Sequence, residues 1–264
     1  MPDDTNGSLI TRASEDRDNG LSGSEAAAAR TLSASLLLRC GAVIKTAALI
    51  LCVAAPADAA SGVVYINQAR ALKGNVTAGD ARGFPVTISR SGSYKLSGNL
   101  WVSDPKKAAI NITGDNVNLD LNGFTIQGPC PTREHCPPGI TAASAGVLSV
   151  GYHTRIENGN ITGFYYGILS AAPGRVQSMT ISENSGEGAI VSEGLFRNNV
   201  IRRNYVGVHV LDGLVIGNLI LENDFGIFSE KHTGYGQNVL ENTHDIDAPL
   251  NQIGGNLCSG SPCP

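Results

Sequence analysis

A repeat of 19 or 20 residues, carrying several columns at once, constrains this chain more than any other feature. The stretch Asn199-Val-Ile-Arg-Arg-Asn-Tyr-Val-Gly-Val208 returns as Asn218-Leu-Ile-Leu-Glu-Asn-Asp-Phe-Gly-Ile227. Ile161, Ile181, Ile201, Ile220 and Leu240 form one apolar column, and Ile156, Val176, Phe196, Val215 and Tyr235 keep the same beat five residues earlier. Asn184, Asn204, Asn223 and Asn242 form a third column, and Gly167, Gly188, Gly207 and Gly226 a fourth. Helical repeats need longer units with apolar residues at i, i+3 and i+4, and leucine-rich repeats need a tight leucine cluster with a consensus asparagine. Each unit here holds instead short runs in which apolar and polar side chains alternate, such as Val208-His-Val210 and Ile227-Phe-Ser229, divided by Asn and Gly. Those are strands and turns. Two or three such strands bury nothing alone. Coiled into a solenoid they pair in parallel at about 4.8 Å, so that the inward columns stack into one continuous core. Asn and Gly are expected at the corners because both tolerate the left-handed conformation, and stacked Asn side chains can hydrogen-bond along a column. The predicted fold is all-β, a parallel β-helix.

The segment Asp115-Asn-Val-Asn-Leu-Asp-Leu-Asn-Gly-Phe-Thr-Ile-Gln-Gly128, with Arg155-Ile-Glu-Asn-Gly-Asn-Ile-Thr-Gly-Phe-Tyr-Tyr-Gly-Ile168, resembles bacterial right-handed parallel β-helix repeat proteins of the pectate-lyase-like superfamily. The resemblance covers residues 109–257 and implies a right-handed single-stranded coil. The superfamily includes lyases, hydrolases, epimerases and adhesins, so it implies no single chemistry. Its polygalacturonase-type motifs (Asn-Thr-Asp, Asp-Asp, Gly-His-Gly, Arg-Ile-Lys) are absent from residues 109–257, and Arg155-Ile156-Glu157 lacks the closing lysine. No three carboxylates share a column as the Ca²⁺ ligands of pectate lyases do.

The net charge of −4 leaves no electrostatic footprint for nucleic acid. Residues 1–30 are polar, without apolar period, and are expected to be disordered or to reflect a mis-assigned start, with initiation nearer Leu32 to Val43. In 31–59, Arg39 and Lys45 precede the apolar run Ala47 to Ala55 and the small-residue site Ala57-Asp-Ala59, which reads as a signal peptide. The run is too short to span a bilayer, so the chain is expected to be secreted or periplasmic, without a transmembrane anchor. Beyond it, Cys130 with Cys136 and Cys258 with Cys263 form two close pairs in Pro-containing loops, which suits two local disulfides. A metal reading of the first pair with His135 lacks a fourth ligand, and neither a metal nor a cofactor is expected. Residues 60–108 show no clean period and read as an amino-terminal cap, with a helix in Tyr65 to Lys73 and strands at Val86-Thr-Ile88 and Tyr94-Lys-Leu96. The β-helix follows over 109–257, and 258–264 form a disulfide-pinned tail. The loop Pro129 to Ala145 interrupts the period and is expected to project on the binding face.

With Val208, Ile227 and Ile246 inward, alternation sends His209, Phe228 and Asp247 outward, with Glu230 and Asp245 on the same face. Asp245 and Asp247 lie about 7 Å apart by strand rise, inside the window for an inverting pair of carboxylates. His209, Phe228 and Glu230 would then bind sugar. Solvated outer-face residues account for the same pattern, as they do for Arg155 and Arg175 beside Glu157 and Gln177. Two functions stay open. One is a module binding a polysaccharide or an envelope component through its flank. The other is a carbohydrate-active lyase, hydrolase or epimerase acting on a uronate-containing polysaccharide, with Asp245 and Asp247 as catalytic residues.

Overall fold

The computed structural model describes residues 62–264, apart from 231, 248, 249 and 264. The stretch 1–30 expected to be disordered and the expected signal peptide at 31–59, with Cys40 and Cys52, lie outside the described residues.

The chain coils into a parallel β-solenoid of about 8 turns with three sheet faces. The first face stacks β1 (Val64–Ile66), β3 (Gly92–Leu96), β6 (Val117–Asp120), the first halves of β9 (Thr154–Thr162) and β11 (Gly174–Ser182), the second halves of β12 (Glu187–Arg197) and β14 (Val206–Ile216), β17 (Thr233–Gly236) and β20 (Leu250–Gln252). The second runs through β4 (Leu100–Trp101), β7 (Thr125–Gln127), the second halves of β9 and β11, β13 (Val200–Arg202), β15 (Leu219–Leu221), β18 (Val239–Glu241) and β21 (Leu257–Cys258). The third holds β2 (Val86–Ile88), β5 (Ile110–Ile112), β8 (Ala145–Ser149), β10 (Tyr166–Ser170), the first halves of β12 and β14, β16 (Phe225–Ser229) and β19 (His244–Asp247).

The inward columns are the ones read from the period. Ile161, Ile181, Ile201, Ile220 and Leu240 pair in register and are fully buried. Each such side chain contributes about 1.5–3 kcal/mol by leaving water. Each apolar column supports only the rungs above and below it, as expected for a one-dimensional core.

Two asparagine ladders run through the corners beside that core. Asn184 donates from its backbone N and Nδ2 to Asn204 Oδ1 at 3.1 and 2.9 Å, Asn204 likewise to Asn223, and Asn223 to Asn242. A second ladder, Asn199, Asn218, Asn238 and Asn256, repeats the pattern between the first and second faces. The corners differ from the expectation in one respect. The left-handed residue is the one before the ladder asparagine: Glu183, Arg203 and Glu222 in one ladder, Asn198, Gly217 and Gln237 in the other. The ladder position selects Asn for its amide, which accepts from one rung and donates to the next. The glycine column is kept by close approach, since a Cβ at Gly188 would lie 2.6 Å from Gly207 O and 2.9 Å from Asn204 Nδ2.

The stack also starts earlier than the sequence period. Ile66 pairs with Leu96, Tyr94 with Leu119 and Leu119 with Ile156, so the early coils take 30, 25 and 37 residues in place of 19 or 20. The segment expected to serve as a cap supplies rungs of its own, among them the two strands expected at Val86–Ile88 and Tyr94–Leu96. Insertions between those rungs hide the beat. One of them is helix α1 (Gln68–Lys73), capped by the Asn67 side chain and ended at Gly74, whose φ is 79°. At the other end, β22 (Ser261–Pro262) folds back antiparallel on β21, and Cys258–Cys263 closes that hairpin.

Candidate functional site

Register places the outward column of the third face as expected. Val208 pairs with Ile227, His209 with Phe228, and Phe228 with Asp247, while Val208 and Ile227 are buried. The His209 ring meets the Phe228 ring edge to face at 4.7 Å. Its Nε2 lies 3.8 Å from Glu230, too far for a hydrogen bond, and has no partner. Burial pushes the imidazole below its usual range, with Glu230 opposing the shift, so it is neutral at neutral pH. His209, Phe228, Glu230 and Asp247 share one surface.

Asp245 reaches that surface by its position on β19, but its carboxylate is committed. Oδ1 accepts from Asn242 N at 2.8 Å and Asn242 Nδ2 at 3.1 Å, and Oδ2 accepts from Ser259 Oγ at 2.9 Å. Asp245 is the terminal acceptor of the first ladder. A last rung must accept and need not donate, which a carboxylate satisfies. The expected partnership with Asp247 as acid and base therefore loses the free oxygens of one member.

A second outward column on the same face is absent from the sequence reading. Ala145 pairs with Tyr166, Glu187 with Val206, Val206 with Phe225 and Phe225 with His244. Tyr165 meets Tyr166 edge to face at 4.7 Å, Tyr205 meets Phe225 at 5.6 Å, and Phe225 stacks on His244 at 5.0 Å. Desolvation raises the Glu187 carboxyl above its usual value, and it raises the Tyr165 and Tyr166 phenols with help from Glu187. Together the two columns place rings on four of five successive coils, the Glu187 coil having none. This line lies two residues before the inward column Ile168, Ala189, Val208, Ile227 and Ile246, across the glycine column, where plain alternation would count it inward; one residue forward lie His209, Phe228 and Asp247.

The disulfide loop closes one edge of this surface. Cys130–Cys136 pins the loop, and Arg133 reaches across the corner to Asn204 O at 3.0 Å and Asp224 Oδ1 at 2.8 Å, with its backbone N on Glu183 Oε2 at 3.3 Å. Beneath the arginine lies a shallow depression of about 420 Å³ lined by Arg133, Glu222, Asp224, Glu241 and Thr243. His135 bonds Thr132 Oγ1 through Nδ1.

The charges divide by face. The eight strand segments of the third face contain no Lys or Arg and carry Glu187, Asp245 and Asp247. The first face holds the basic column, with Arg155 paired to Arg175 in register, Lys95 on Asp120 at 2.9 Å, and Gln177 on Glu157 at 2.7 Å. Among the described residues no group of three His, Cys, Asp or Glu could hold a metal ion, and no helix is long and apolar enough to cross a membrane.

No protein-family model matches this chain, and no solved structure matches it. The chain is similar to the uncharacterized protein YuaQ of Escherichia coli (strain K12), 28% identical over 137 residues that make up 52% of this chain and 9% of that protein. It thus spans only a small part of that relative's length.

Proposed function

We propose that this is an exported, right-handed β-helix protein of the pectate-lyase-like class that binds a polysaccharide along the outer surface of its third face. One observation carries the reading: rings from Tyr166, Tyr205, Phe225, Phe228 and His244 lie on one face of a rigid stack, with acidic and imidazole side chains between them. Aromatic faces offer apolar area with an electron-rich surface that suits the C–H side of a sugar ring, while flanking polar groups hold hydroxyls. A flat flank with a repeat of about 4.8 Å per rung suits an extended polymer more than a compact ligand. The two disulfides belong to an oxidising compartment, which supports export. Binding is favoured over cleavage because Asp245, the acid–base partner expected for Asp247, is held by Asn242 and Ser259.

Replacing Phe225 or Phe228 by Ala is expected to weaken binding of a neutral oligosaccharide by about 1–3 kcal/mol each, read by calorimetry with melting unchanged. Unchanged affinity in the double variant would remove the aromatic face from the interaction. Release of reducing ends or of unsaturated product would turn the reading toward the enzyme.

A further inference from the structure

Glu187 stands in the outward column between Tyr166 and Val206 and is mostly shielded from solvent. Among the described residues no side chain donates a hydrogen bond to it, and no Lys or Arg occurs in any strand segment of its face. Its own backbone N–H donates to it, but a shielded carboxylate without a counter-charge is costly, so the position calls for one from outside the chain. The surroundings define the shape of that partner. Gly186, the residue before it, has no side chain, and the Tyr165 ring leans over the gap: a Cβ there would meet Tyr165 Cε1 at 2.9 Å. Tyr166 meets the Tyr165 ring on one side. Tyr205, one coil further on, donates from its backbone N to Gly186 O at 3.0 Å and is 49% exposed. A single carboxyl thus has aromatic rings on either side of it along the stack, and one of them is open to solvent.

Carboxylate and aromatic faces together are the complement of an organic cation, because the ring quadrupole attracts the positive charge and the rings replace its hydration. The geometry points to a subsite for an ammonium group, built from Glu187, Tyr165, Tyr166 and Tyr205 and reached from the solvent side past Tyr205. The assignment rests on the glycan-binding reading and narrows it. The ligand would carry either the free amine of an amino sugar or a quaternary ammonium substituent, and a polyuronate would bring like charge to Glu187, Asp245 and Asp247. The upward displacement of the Glu187 carboxyl by burial agrees, since an arriving cation would draw it back toward the ionised form.

The test uses calorimetry on the full chain with small and polymeric probes. Choline is expected to bind at least about tenfold more tightly than its uncharged isostere 3,3-dimethylbutan-1-ol, and Glu187→Gln should abolish the difference while leaving the isostere unchanged. Glucosamine oligomers are compared with fully N-acetylated ones and with a neutral glucan. Preference for the free-amine oligomer identifies an amino sugar, and preference for choline alone identifies a quaternary ammonium. Equal binding of choline and its isostere, or a preference that survives in E187Q, overturns the ammonium subsite. If neutral glucan binds while no cationic probe is preferred, the ammonium subsite fails and the glycan reading stands; if no probe binds, both fail.

Discussion

Burial raises the Glu187 carboxyl above its ordinary value, and its effect on stability follows from linkage. Between the unfolded and folded values the native state holds a proton that the unfolded chain has released, so stability falls as pH rises through the folded value. Below the unfolded carboxyl's value of about 4.3 both states are protonated and the penalty vanishes. Glu187→Gln is therefore expected to melt above the parent protein at neutral pH, with the gap closing on acidification. The phenols of Tyr165 and Tyr166, raised by burial, stay neutral over that window, so they add no slope. A thermal-shift series across pH that shows parallel curves for the two proteins would count against the shielded carboxyl. This residue was legible in the sequence only in principle. Alternation along a strand put Phe228 and His209 outside, because their inward neighbours belonged to a visible column. Glu187 sits past a glycine, where the outward line begins two residues earlier. Nor could alternation assign Asp245, whose task depends on its being the last acceptor of a ladder.

At the scale of the element, the ladders distinguish Asn as a relay from Asn as a turn residue. Asn204 accepts two bonds from Asn184 and gives two to Asn223, all buried. Asn204→Ala leaves donors and an acceptor unmatched at about 1–3 kcal/mol each, and so should cost several kcal/mol in denaturant unfolding. Asp245→Asn keeps an acceptor for Asn242 and should cost about 1 kcal/mol or less. A loss equal to that of Asn204→Ala would show that the charge, and not the acceptor, ends the ladder. The sequence displayed the first of these ladders as a column, and displayed the second only in retrospect, because Asn199, Asn218, Asn238 and Asn256 lie beside apolar columns that already accounted for the period. The early coils were harder still. Helix α1 and the loop carrying Cys130–Cys136 lengthen their connections, and a solenoid tolerates such insertions because only the rung positions must match.

For the whole molecule, stability is a chain of nearest-neighbour interfaces, so a single damaged rung is felt along the stack. Ile201→Asp buries an unpaired charge between Ile181 and Ile220 and should cost about 3–5 kcal/mol, enough to unfold the coils around it. A variant that is folded and unchanged in melting would refute the column. The carboxyl-terminal hairpin, β22 against β21, has a different consequence. A β-solenoid is a sheet that could be extended by any copy offering one more parallel strand, and an open final coil is a template for end-to-end growth. The reversal of chain direction at Ser261–Pro262 and the Cys258–Cys263 bond cover the Leu257–Cys258 edge with a strand of the wrong polarity. Mild reduction is therefore expected to do more than lower stability by the roughly 2 kcal/mol or less of so short a loop: it should free the edge, and reduced protein held at high concentration should lengthen into filaments visible by light scattering, while the oxidised protein stays finite.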